Sequence, residues 1–133
     1  IALENLDEGM TASLEQTVSQ KDVAGFGEVT GDFNPLHFDA EFAATTVFGA
    51  TIAHGILTAG YISAVIGTRL PGPGTIYLSQ QLMFRSPVRI GDTVTARVTV
   101  AAVDRDLRRV RLETTCLVGG EVVLEGEALV LVP

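Results

Sequence analysis

A single cysteine, Cys116, stands among the 133 residues, so no disulfide can form within the chain and stability has to come from a packed core. Positive charge is also scarce: nine Lys and Arg face sixteen Asp and Glu, a formal net charge of −7 at pH 7. A surface of that sign argues against nucleic-acid binding, and any polyanionic ligand would need a local basic patch. No apolar run reaches the ~20 residues of a membrane span, so no membrane partner is expected. Repeats, low-complexity tracts and Pro/Gly/Ser linkers are missing too, so residues 1–133 read as one domain. The opening residues IALENLDEG lack a basic and apolar leader pattern, and with the lone thiol this points to a reducing, cytoplasmic setting.

What is present is apolar. Hydrophobic residues make up 47% and charged residues only 19%, an excess for so short a chain that implies a partner copy covering part of the surface. The pattern divides the chain into a helix-rich first half and a strand-rich second half. In TASLEQTV, residues 11–18, apolar and polar positions alternate as in a half-buried strand. Ser19 and Asp22 form a capping box, Val23, Phe26 and Thr30 recur at helical spacing, and Gly31 supplies a stop. Asp39 is placed to cap a short helix over AEFAATTVF. From His54 a run apolar on nearly every side continues to Pro71, which requires other structure wrapped around it. Four alternating segments follow, marked by Ile76 to Phe84, Val94 to Val100, Val110 to Cys116 and Val122 to Val130. DRDLRR and VGGE read as tight hairpin loops, so the last three strands form an antiparallel meander. The expected fold class is α+β, with five or six strands curled around one apolar helix in the hot-dog architecture.

The stretch GDFNPLHFD, residues 31–39, concentrates polar chemistry. Pro35 removes a backbone donor and biases Asn34 away from the helical region, so both Asp32 and His37 are expected on a loop that can fold them toward one point and a shared water. A solvated turn built on Asn34 is the plain alternative. Phe33, Leu36 and Phe38 weigh against it, since a solvated loop has no need of them whereas a pocket rim does.

GDFNPLHFD, followed 14 to 15 residues later by TIAHGILTAGYIS, resembles the (R)-specific enoyl-CoA hydratases of the MaoC-like group, which have the hot-dog fold. The likeness extends through GTIYLSQQLMFRSPVRIGDTVTARV to the C-terminus. The resemblance implies an acyl-CoA substrate, no cofactor and a homodimer. It also implies that Asp32 and His37 hold the attacking water, that Asn34 shapes the loop, that the Gly55 N–H meets the thioester carbonyl, and that Ser63 supports the aspartate. Elementary chemistry agrees. Adding water across a double bond conjugated to a thioester needs a base for the water, a proton for the α-carbon and a donor for the developing enolate oxygen. Gly55, near a helix start, offers an unpaired N–H in a positive dipole field.

Other readings stay open at this level. The reverse-direction (3R)-hydroxyacyl carrier-protein dehydratase, a thioesterase, and a non-catalytic acyl-binding subunit fit the same scaffold. Asp32, His37, Asp39 and His54 lack the usual metal-ligand spacing, so no metal is expected. His54 reads as a packed or capping residue, and Cys116 as an inert buried thiol. PGPGT reads as a helix stop and turn. Arg85, Arg89, Arg105, Arg108, Arg109 and Arg111 are the basic candidates for a nucleotide phosphate.

Overall fold

In the computed structural model, which describes residues 1–133, a short 3-10 turn, Leu3–Asn5, precedes strand β1, Thr11–Thr17. Helix α1, Gln20–Thr30, begins at the expected capping box: Ser19 and Asp22 each accept the other's backbone N–H. It stops at Gly31, whose φ of 80° is a left-handed conformation that costs glycine nothing. Two short helices follow, α2 at Pro35–Phe38 and α3 at Ala40–Ala44. Asp39 caps α3 as expected, but the helix ends at Ala44 instead of running on to Phe48. Helix α4 spans Gly55–Thr68, and then come β2 (Ile76–Phe84), β3 (Thr93–Asp104), β4 (Arg109–Val118) and β5 (Glu121–Leu131). No helix is long and apolar enough to cross a membrane.

The strands make one antiparallel sheet in the order β1-β3-β4-β5-β2. The last three form the meander foreseen from the hairpin loops. Alternation decides the faces: Val94, Ala96, Val98 and Val100 of β3 are buried together with Val110, Leu112, Thr114 and Cys116 of β4. Ile62, Val65 and Ile66 of α4 join them in one core. Each such side chain contributes about 1.5–3 kcal/mol by leaving water, so a slip of one residue in any strand would be heavily penalised.

One expectation is corrected. The sheet covers α4 on one side only; Ile56, Gly60, Ser63, Ala64 and Gly67 are exposed along the other. An all-round apolar helix was read as wrapped by its own chain, but five strands are too few to close around it. Edge strand β2 is likewise apolar and uncovered, with Ile76 at 56% and Met83 at 47% exposure.

Candidate active site

Gly31 redirects the chain out of α1 into a ladder of side-chain-closed turns. The Asp32 N–H donates to Thr30 Oγ1, the Asn34 N–H to Asp32 Oδ1 at 3.2 Å, and the Leu36 N–H to Asn34 Oδ1 at 3.0 Å. Asn34 is thereby the N-cap of α2, with Pro35 at its first position. This corrects the reading of residues 32–37 as a helix-free loop. Proline lacks only an N–H that the first helical turn leaves unpaired anyway, and its fixed φ suits that position. Asp32 therefore lies on a turn, while His37 is carried by a helical turn that aims it inward.

His37 is 8% exposed, and its Nδ1 lies 2.7 Å from the Ile52 carbonyl oxygen. A carbonyl can only accept, so Nδ1 carries the hydrogen and Nε2 keeps a free lone pair. Burial pushes the ring below the usual imidazole value of 6.5; the bond to Ile52 opposes this, the nearby His54 adds to it, and the Asp32 carboxylate opposes it again. The neutral form of the ring is thus favoured.

His54 sits beneath it. Its Nε2 lies 3.0 Å from the Asp32 carbonyl oxygen, and its ring centroid is 4.0 Å from that of His37 and 4.5 Å from that of Phe26. Ligating atoms of Asp32, His37 and His54 all fall within 4.8 Å of one another. This triangle is where a cation or a water could be held, and sequence spacing gave no hint that His54 belongs to it.

Gly55 opens α4, so its N–H has no acceptor within the helix. A methyl group there would lie 2.4 Å from Phe84 Cε1; only glycine lets that ring sit over the helix start. His37 and Gly55 share the wall of a cleft of about 400 Å³ whose other walls include Phe48, Ile52, Ile56, Phe84 and Val88. Asp32 is not among the lining residues, but its carboxylate lies within 4.8 Å of a ring nitrogen of His37. Thr58, which sequence reasoning passed over, also lines the cleft, and its hydroxyl donates to the Gly55 carbonyl at 2.6 Å.

Three expectations need adjustment. Phe33 and Phe38 do not form the cleft rim: they stack on each other at 5.4 Å between centroids and press on Gly27, with Phe38 also against His54. Phe38 thereby backs His54, while Phe33 remains 58% exposed. Ser63 lies two turns along α4 on its exposed face and makes no hydrogen bond to Asp32 within the chain. Of the candidate arginines, Arg85 alone borders the cleft, where it pairs with Glu125 at 3.2 Å. Arg105 is tied to the Leu3 and Leu6 carbonyls, and Arg108 to that of Val132. Cys116 is buried, its thiol pushed up to about 12, in keeping with an inert core residue.

Residues 2–121 match the MaoC like domain. The chain is 59% identical to a 3-hydroxybutyryl-CoA dehydratase of Methylorubrum extorquens, over 98% of this chain and 83% of that protein. It is 55% identical to an (R)-specific enoyl-CoA hydratase of Rhodospirillum rubrum, over 98% and 90% respectively. The solved (R)-hydratase of A. caviae involved in PHA biosynthesis superposes with a TM-score of 0.93 at 44% identity, covering 98% of this chain and 99% of that one. By the matched residues, the identities to these relatives and the shared hot-dog arrangement, this chain belongs to the MaoC-like domain family.

Proposed function

We propose that residues 1–133 form one MaoC-like domain that reversibly hydrates trans-2-enoyl-CoA to (3R)-3-hydroxyacyl-CoA, with Asp32 and His37 activating the water. The observation that carries the reading is the free Nε2 of a buried His37 beside the Asp32 carboxylate, in the same cleft wall as the unpaired Gly55 N–H. The relatives named above support the substrate class and the R configuration.

The thioester oxygen sits at the Gly55 N–H, which stabilises negative charge as it develops there at the positive end of α4. A water held between Asp32 and His37 loses a proton as its oxygen bonds to C3. The electron pair of the C2–C3 double bond moves toward the thioester, and C2 takes up a proton. Asp32 and His37 act as one unit in both transfers. Asn34 holds the turn that presents Asp32. The apolar walls exclude bulk water, which strengthens each of these interactions. Dehydration is the same path reversed.

The direct test is loss of the conjugated-thioester absorbance of crotonyl-CoA with chiral analysis of the product. No turnover, release of free thiol, or an S product would each count against the proposal. Running crotonyl-CoA against crotonyl carrier protein in one mixture separates the two carriers.

The acid limb of the rate profile follows from the lowered pKa of His37. Only the neutral ring accepts a proton from water, so kcat/KM should fall on acidification with a midpoint below 6.5. The same depression means that the folded state binds this proton more weakly than the unfolded chain. Its contribution to stability is present above 6.5 and is lost as pH falls through the lowered value. A kinetic midpoint above 6.5 would contradict the assignment of His37 as base.

The open face of α4 and the exposed apolar edge of β2 further support a homodimer in which the two sheets join along β2. Sedimentation at micromolar concentration should give twice the 14.0 kDa chain mass; a monomeric mass would remove this part of the proposal.

A further inference from the structure

We infer that His54 is a positioning residue of the site, tying the Asp32 main chain and the His37 ring to the helix start that carries Gly55. The inference rests on the hydratase reading above. His54 is 2% exposed and immediately precedes Gly55, at the N-cap of α4. N-cap side chains ordinarily bond the free N–H groups of their own helix, but the His54 ring makes no such bond. It turns instead to the preceding segment, where Nε2 meets the Asp32 carbonyl at 3.0 Å. Because that oxygen can only accept, the hydrogen is on Nε2. The ring centroid lies 4.0 Å from that of His37, with the planes 35° from parallel, and 4.5 Å from that of Phe26.

Packing alone does not account for a histidine here. Its Nδ1 is buried with no hydrogen-bond partner, a desolvation cost that a phenylalanine of similar shape would not carry. What the bond supplies is position. It fixes a turn whose carboxylate must lie within reach of the His37 Nε2, and a displacement of about 1 Å in such an array can cost about a hundredfold in rate.

Two variants separate position from packing. His54→Phe keeps the ring and its contacts but removes the donor; His54→Gln loses the ring but keeps an amide N–H able to reach the Asp32 carbonyl. With crotonyl-CoA, His54→Phe should lower kcat by about tenfold or more while KM stays within about twofold of the parent. His54→Gln should recover most of that loss. A phenylalanine variant with parent kcat would overturn the inference. So would equal losses in both variants, a change confined to KM, or melting temperatures far below the parent in both, which would mark His54 as a packing residue. Failure of the functional reading is distinguishable, because the unmodified protein would then not turn over crotonyl-CoA at all. In that case the ring itself still reports: the chain has two histidines, and nitrogen-15 spectra should show His54 protonated at Nε2 and His37 at Nδ1. The opposite tautomer at His54 would refute the bond to Asp32 directly.

Discussion

Asp32→Asn and His37→Gln should each lower kcat for crotonyl-CoA by about 10²–10⁴-fold, the span that a positioned acid or base contributes. Asparagine keeps the oxygen that accepts the Asn34 N–H, so the turn survives while the negative charge is lost. Glutamine at 37 can still donate to the Ile52 carbonyl but has no basic nitrogen for the water. For Asp32→Asn, substrate binding and melting temperature should stay near the parent values, because Asp32 is exposed and not among the cleft-lining residues. Removing both groups should be little worse than removing the more damaging one, since either loss already disables the same step. Multiplying losses would mean that the two residues act on different steps. Near-parent turnover in either single variant would end the shared-water mechanism.

The second large effect is expected at Gly55. In Gly55→Ala the new Cβ would lie 2.4 Å from Phe84 Cε1 and 2.7 Å from Cδ1, so the ring must leave its place over the helix start and reshape the cleft. Activity should fall steeply although the N–H remains, and adding Phe84→Ala should recover part of it by removing the clash. Gly55→Pro, made in the Phe84→Ala background, isolates the donor. Proline suits a first helical position, and His54 before it already has φ −60° and ψ 130°, the extended geometry that proline demands of its predecessor. A loss of about 10²–10³-fold in kcat with little change in melting is expected for a missing oxyanion donor. If the alanine and proline variants are equally active in that background, the Gly55 N–H does not meet the substrate.

Much of this architecture was legible locally. The Ser19 and Asp22 capping box, the stop at Gly31 and the four alternating segments depend on neighbours within a few residues, and the folded chain keeps them. Pro35 was misread because one residue type has opposite effects inside a helix and at its first position, and only the Asn34 cap decides which applies. His54 escaped for another reason: its partners Asp32 and His37 lie 22 and 17 residues away, on elements whose relative placement no periodicity encodes. The same holds for Phe33 and Phe38. Their apolarity argued against a solvated turn, yet Asp32 and Asn34 are exposed and close turns with their own side chains while Phe33 is 58% exposed; only the packing of α1 decided that Phe38 would meet His54 and not the cleft. The open side of α4 was invisible because hydropathy cannot tell a helix face packed on its own chain from one left uncovered.

The tethering of residues 32–51 bears on how the molecule moves. Beyond its own ends and the packing of Phe33 and Phe38 on α1, this segment is joined to the rest by few hydrogen bonds: His37 to Ile52, His54 to Asp32, the Ile52 N–H to Leu36 at 3.4 Å, and the Arg89 guanidinium to the Phe48 carbonyl. The sheet, by contrast, is laced by continuous ladders of backbone bonds. Local opening of the segment therefore costs a fraction of the free energy of global unfolding. Its amide hydrogens should exchange faster than those of the sheet, and two imidazoles serve as its latches. The same two rings that face the Asp32 carboxylate thus also clasp its segment to the start of α4.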